Sequence, residues 1–343
     1  MQINTLTILH SVGWFSNIMS KGTFPSTAPK MTTLNETPDS EQLLEEEPIY
    51  STTHGRAYQG NSKQLLQNLP SKSVDLVVTS PPFALQRKKE YGNKSQAEYG
   101  EWFMEFAEAV YDVLTDDGSF VVDIGGGWEK GEPVRSMYHF ELLTQLAGSS
   151  GPFHLAQDFY WYNPAKLPTP AQWVTIERIR AKDAVNHVWW LSKTPRPEAD
   201  NRRVLQDFSD AQEQLMESGV ESTERPSGHS LSDDFGDPKE NGSIPPNLLE
   251  IANTASNTHY LKACRVTDSN PHPARFPRQL PEFFIKFLST PGDMVLDIFA
   301  GSNMTGWVAQ NLERNWLAFE ENIGYLDNSK LRFTHPEEIP SYS

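Results

Sequence analysis

Cysteine is almost missing: one, Cys264, stands in 343 residues. That excludes a disulfide framework and a multi-cysteine zinc site. No apolar run reaches the ~20 residues that a bilayer-spanning helix needs, so no membrane partner is expected. Residues 1–19 are mildly apolar but lack a basic leading segment, so a secretory signal is not expected and a cytoplasmic setting is. The nine histidines show no ligand spacing, and no metal is expected. No internal repeat is visible. Excess positive charge is lacking too. The formal net charge of −16 argues against indiscriminate binding to nucleic acid.

That acidity is uneven. Residues 36–47 and 198–240 carry most of it, while cations gather at Arg87-Lys88-Lys89, at Arg178, Arg180 and Lys182, and at Arg275 and Arg278. Local clusters contact phosphates, whereas the overall sum mainly sets solubility and steering. A basic cleft on an acidic body is therefore compatible with the composition.

Residues 1–48, Ser/Thr/Pro-rich from Thr23 to Pro38 and then acidic, show no sustained period of 2 or 3.6 and are expected to be a disordered extension. A globular pattern begins at Ile49. A short strand ends near Asn61, and a helix follows with Leu65, Leu66 and Leu69 on its apolar side. Residues 74–78 read as a buried parallel strand. Residues 98–114 read as an amphipathic helix, with Trp102, Phe103, Phe106, Val110 and Leu114 on one face. A turn is expected at Asp116-Asp117-Gly118, then a strand over 119–124 that opens into three glycines. Further strands are expected at 153–162 and 187–191. Composition shifts at Thr194, and residues 196–261 read as a loop-rich, polar insertion. Order resumes with helix 281–289, strand 293–299, a helix to about Arg314, and a last strand at 316–319 ending at Glu320.

Two stretches carry chemistry. In Thr79-Ser80-Pro81-Pro82-Phe83, two prolines end a buried strand, since neither can donate to the ladder. A hydroxyl, proline-bound carbonyls and an aromatic ring then sit at a strand's carboxyl end, where open α/β sheets place ligands. The set suits an amino group on a flat ring: Ser80 and a proline carbonyl accept its hydrogens while Phe83 covers the ring. By itself the stretch fits equally a Pro-Pro turn that merely closes a strand.

The second stretch runs from Asp297 through Phe299, Gly301, Ser302 and Thr305 to Gly306. It reads as strand, glycine turn and helix start, a geometry that brings backbone N–H groups to a ligand. Glu320 ends the next strand, where an acidic residue typically accepts from ribose hydroxyls. The G-x-G-x-x-G fingerprint is absent, and Trp307 follows Gly306 where a phosphate-binding loop needs lysine. The ligand read from this pattern has a ribose but no pyrophosphate, which fits S-adenosylmethionine. An ordinary βαβ turn is the alternative.

The Ser-Pro-Pro-aromatic stretch resembles the signature of the DNA amino-methyltransferases, and residues 297–302 resemble their methyl-donor motif. His272-Pro273-Ala274-Arg275-Phe276-Pro277 resembles the segment preceding that motif. The catalytic motif comes first and the recognition region lies between, as in the β-type order. The resemblance is closest to PvuII-type cytosine-N4 DNA methyltransferases, and rests on residues 80–93, 158–161, 225–229 and 242–249 as well. It covers roughly residues 49–333. It implies an α/β, Rossmann-like S-adenosylmethionine-dependent methyltransferase fold: a mostly parallel sheet with circularly permuted motif order and a small loop-rich recognition module. Residues 49–195 would be the catalytic part, 196–261 the target-recognition region and 262–343 the donor-binding part. Asn61 departs from the family, which often has Asp there.

The implied reaction is methyl transfer to the N4 amine of a flipped cytosine in a palindromic duplex of the CAGCTG type. Ser80 and Pro81 would accept from the amine, with Pro82 shaping the loop. Phe83 would stack on the base, with Tyr160 or Trp161 as a second wall. Asp123 is the candidate to take the proton through Ser80, a strand-end or helix-capping aspartate being the alternative. Asn61, Phe276, Asp297, Phe299, Gly301, Ser302, Thr305 and Glu320 would hold the donor. Arg87, Lys88, Lys89, Arg225, His229, Asn241 and Asn247 would contact DNA. A monomer is expected, with a cognate restriction endonuclease acting separately. Cys264 is read as a packed small residue and not a C5-attacking thiolate. The alternatives are an adenine-N6 enzyme, for which an acidic residue or Asn would be expected in place of Ser80, a nicotinamide oxidoreductase and a silent DNA-binding module.

Overall fold

The computed structural model describes residues 42–84, 94–210, 213–214, 242–254 and 258–339. Residues 1–41, Arg87–Lys89, Arg225, His229 and Asn241, all named above, lie outside that set. The chain forms two compact units. In the smaller, the described residues are joined by an antiparallel bridge between Gln206 and Ser243. The larger, Lys30–Val204 with Ile244–Ser343, contains everything below.

Nine strands form one sheet in the order β1-β2-β9-β8-β3-β4-β6-β5-β7 among the described residues. They are β1 (Tyr50–Thr52), β2 (Gly55–Gln59), β3 (Val74–Thr79), β4 (Leu114–Ile124), β5 (His154–Tyr162), β6 (Val185–Ser192), β7 (Leu248–Glu250), β8 (Met294–Asp297) and β9 (Asn315–Glu320). The helices are α1 (Ser62–Asn68), α2 (Gln96–Val113), α3 (Tyr138–Ala147), α4 (His259–Val266), α5 (Gln279–Leu288), α6 (Met304–Asn311) and α7 (Ile323–Ser329). None is long and apolar enough to cross a membrane.

The run β2-β9-β8-β3-β4 is parallel throughout. Its strands are apolar on both sides because helices cover both faces. Val77 belongs to the core that holds Phe103, Phe106 and Val110 of α2 and Leu142 of α3, while its neighbours Leu76 and Val78 belong to the core with Phe284 and Ile285 of α5 and Val308 of α6. This period-2 division sorts one strand's residues between two cores. The expected mostly parallel α/β sheet is present.

Several elements differ from expectation. Asp116-Asp117-Gly118 is not a turn before a strand. It lies inside β4, where the register against β3 moves from Val74↔Leu114 to Leu76↔Ser119, so the extra residues form a bulge. β6 runs antiparallel to β4 and β5, so the sheet is mixed at that end. Order begins before residue 49: Leu44 is 2% exposed and packs in the α1–α2 core. Of the 196–261 region, residues up to Val204 and from Ile244 belong to the larger unit. Arg203 Nη1 donates to Ser289 O at 3.1 Å just after α5, and β7 extends the sheet beside β5.

Candidate active site

Parallel strands place their carboxyl ends at one edge of a sheet. Here that edge collects Gln59, Thr79, Ile124, Asp297 and Glu320, the ends of β2, β3, β4, β8 and β9. A cleft of about 930 Å³ opens there. Ser80, Pro81, Pro82, Phe83 and Asp123 line one part of it, and Asn61, Phe276, Phe299, Gly301, Ser302 and Glu320 line another. The two motifs read from the sequence therefore share one cavity. The adjacency comes from β3 and β8 pairing side by side, Leu76 with Val295 and Val77 with Leu296.

On the first side, Ser80 Oγ donates to Asp123 Oδ2 at 3.0 Å, and Asn186 Nδ2 donates to Asp123 Oδ1 at 3.0 Å. Asp123 is only 4% exposed. Burial pushes its carboxyl up to about 6, against the lowering effect of the Asn186 and Ser80 hydrogen bonds and of the Lys166 charge. A carboxylate with that affinity can take and release a proton near neutral pH. The Phe83 ring lies against Gly125: a Cβ there would come 2.6 Å from its Cε2, so only glycine leaves room for the ring.

On the second side, Gly301 adopts φ +52, in the left-handed region that glycine enters without strain. Its N–H donates to Glu320 Oε2 at 2.8 Å, and Asn322 N–H donates to Oε1 at 2.9 Å. Glu320 is raised above the ordinary carboxyl range by burial, and these two N–H groups pull the other way. It has no ion pair among the described residues, so its remaining lone pairs are available to hydroxyl donors. The Phe299 ring packs against Trp102 and Phe106 of α2, at centroid distances of 5.8 and 5.1 Å. A ribose acceptor, an aromatic floor and a glycine turn are the parts that an adenosine-bearing ligand requires.

Some expected site residues lie elsewhere. Asp297 does not line the cleft. Its Oδ1 accepts from Thr79 Oγ1 at 2.7 Å and from Phe299 N–H at 3.1 Å, and its Oδ2 accepts from Thr305 Oγ1 at 2.7 Å. Asp297 and Thr305 therefore brace the loop from beneath, and burial raises the Asp297 carboxyl. Ser302 lines the cleft, yet its hydroxyl accepts from Arg332 Nη2 at 2.6 Å. Asn61 caps α1, accepting from Lys63 N–H at 3.1 Å.

Strand alternation separates the two candidate walls. Trp161 lines the cleft at 7% exposure, its Nε1 donating to Ile251 O at 2.8 Å. Tyr160 points to the other face, donating to Asp158 Oδ2 at 2.7 Å. Tyr160 is thus not among the residues that line the cleft. Asn247 is not at the cleft either; its side chain donates to Asp158 O at 3.0 Å and ties β7 to β5.

Sequence reasoning missed Asn186, Lys166, Asn163 and Asn253, which also line the cleft. Asn186 had a detectable signal only through topology. β6 is antiparallel to β4, so its first residues lie at the edge where β4 ends. The hydropathy pattern that marked the strand does not reveal its direction.

A family model described as DNA methylase, for N6 and N4 enzymes, matches residues 74–331. The type II methyltransferase M.PvuII of Proteus hauseri is 50% identical over 310 residues, 88% of this chain and 91% of that protein. The type II methyltransferase M.BglII of Bacillus subtilis is 27% identical, over 79% of this chain and 67% of its own length. The solved PvuII DNA methyltransferase, described as cytosine-N4-specific, matches with a TM-score of 0.70 at 45% identity, covering 87% of this chain and 94% of that one. With its family model spanning both halves of the cleft and a relative at half identity along most of both chains, the chain belongs to the N6/N4 DNA methylase family.

Proposed function

We propose that this protein transfers a methyl group from S-adenosylmethionine to the exocyclic N4 of a cytosine extruded from a palindromic, CAGCTG-like DNA duplex. The observation that carries the proposal is the Ser80–Asp123 hydrogen bond, in the same cleft as the Glu320–Gly301 pair. When bound, S-adenosylmethionine supplies an electrophilic methyl on a sulfonium sulfur. Phe299, Gly301 and Glu320 would hold its adenosine, with Glu320 accepting from the ribose.

The cytosine amine is a weak nucleophile because its lone pair is delocalised into the ring. Ser80 Oγ spends its own proton on Asp123, which leaves oxygen lone pairs to accept one N4–H. The Pro81 carbonyl would accept the other. Two acceptors rotate the nitrogen towards tetrahedral geometry and localise its pair. The new N–C bond forms as the S–C bond breaks, and the bonding pair leaves on sulfur. The amine then loses its proton to Ser80 Oγ while Ser80 passes its own to Asp123. Phe83 and Trp161 would enclose the ring. Positioning supplies much of the rate.

The specificity for cytosine rests on Ser80 at the head of the motif and on the likeness to the PvuII enzyme. In the cytoplasm, such methylation would shield sites from a separate restriction endonuclease. A monomer would suffice, since replication leaves only one strand unmodified.

The test is tritium transfer from labelled donor to duplex DNA, followed by mass analysis of the digested product and mapping of the modified positions. N4-methylcytosine in a CAGCTG-like site, lost in Ser80→Ala, is the expected result. N6-methyladenine would overturn the base assignment, and tight DNA binding without incorporation would overturn the activity.

A further inference from the structure

We infer that the connection between β5 and β6, residues 163–184, is a DNA-penetrating arm whose Leu167 enters the duplex where the target nucleotide leaves. The inference rests on the base extrusion of the proposed function. Its structural basis is position. β5 and β6 are antiparallel, and β6 begins at the edge where β4 ends, so the whole connection springs from the rim of the catalytic cleft. Asn163 and Lys166 line that cleft, and Leu167 is the next residue.

Leu167 is 75% exposed, so its side chain is free to meet a ligand at the cleft rim. The segment holding it is braced. Lys182 Nζ donates to Pro164 O at 3.0 Å and to Lys166 O at 3.3 Å, and Asp183 N–H donates to Thr169 O at 3.0 Å. Arg180 donates from Nε and Nη2 to Pro133 O at 3.1 and 2.8 Å, tying the connection to the neighbouring loop. An apolar side chain on a braced segment is the part that proteins use to part stacked bases.

Charge complementarity identifies the occupant as a nucleic acid. In a chain of net charge −16, Arg178, Arg180 and Lys182 all stand exposed on this connection. Its acidic residues are only two: Asp183 pairs with Arg135 at 2.5 Å, and Glu177 Oε1 accepts from Gln172 at 2.8 Å, so with Lys166 the connection keeps an excess of positive charge. Ile176, at 67% exposure, adds a second solvent-facing apolar group among these cations. Cations would hold the phosphates while Leu167 fills the gap in the stack. An extruded base leaves such a gap, and filling it keeps the base from returning.

The experiment uses the full chain and two duplexes bearing the mapped site. One is fully matched; in the other the target cytosine faces an abasic position and has no pairing to lose. Wild type should bind the second more tightly. Equal affinity would overturn base extrusion and the arm's role together. Given that preference, Leu167→Ala should lose about tenfold or more in single-turnover methylation of the matched duplex and under about twofold on the unpaired one. Leu167→Met should restore most of the loss. Equal loss on both duplexes, or none on either, would overturn the wedge and leave extrusion standing.

Discussion

Thr79 and Asp297 lie 218 residues apart in sequence and share a 2.7 Å hydrogen bond. Through it the residue before Ser80 is tied to the base of the glycine loop. Asp297 also holds the Phe299 N–H and the Thr305 hydroxyl, so one buried carboxylate braces both halves of the cleft.

Thr79→Val keeps the side-chain shape and removes the donor. Asp297 Oδ1 would keep only the Phe299 N–H, within a site that is 1% exposed. A loss of roughly 1–3 kcal/mol in stability is expected, the cost of a buried acceptor stripped of a partner. Urea unfolding of the two proteins would measure it, and an unchanged midpoint would contradict the bracing role.

Asp123 must be ionised to receive a proton, so methyl transfer should decline as pH falls through about 6. Asn186→Leu removes a donor to the carboxylate and should move that acid limb to higher pH. A merely structural defect would lower the plateau without moving the limb.

The same group has a stability consequence of opposite sense. Its folded-state affinity is raised from the ordinary 3.8, so its stabilising contribution is full below that value and lost as pH rises through about 6. At pH 7 the buried charge is a net cost. Asp123→Asn should therefore be inactive yet more stable than wild type at pH 7, by roughly 1–3 kcal/mol. Thermal unfolding at pH 4 and pH 7 should show the gap narrowing at the lower pH.

Glu320→Ala removes the acceptor for Gly301 and Asn322 N–H and, as proposed, for the donor's ribose. The dissociation constant for S-adenosylmethionine should rise by about tenfold or more, ~1.4 kcal/mol. Calorimetry would read it directly; an affinity equal to wild type would remove Glu320 from the donor site.

Phe83→Ala should weaken transition-state binding by ~1–3 kcal/mol, the worth of one base–aromatic stack. Phe83→Tyr should retain most activity. Gly125→Ala should damage activity without altering any ligand-facing side chain, because its Cβ would press on the Phe83 ring. Single-turnover rates would rank the three, and full activity in Gly125→Ala would show that the ring's seat is unimportant.

Much of the site was legible in the chain. Ser80, Phe83, Asp123, Gly301 and Glu320 were picked out by strand ends, prolines and a glycine turn, and all line the cleft. The residues placed differently share a cause. Asp297 and Thr305 have the polarity of ligand-binding groups, but whether such a side chain faces a cavity or braces a loop depends on the neighbours that reach it. Tyr160 and Trp161 looked interchangeable because both are aromatic; the pleat sends them to opposite faces.

Local pattern alone was enough to mark the central strands, the long helix that became α2 and the two motifs at strand ends, because backbone preference and hydrophobic period act over a few residues. Tertiary structure decided that β3 and β8 lie side by side, that β6 runs backwards to bring Asn186 to Asp123, and that the β5–β6 connection stands at the cleft rim. Those relationships arise from pairing between segments far apart in the chain. Local pattern carries no record of which strand a neighbour will be, or of the direction in which it will run.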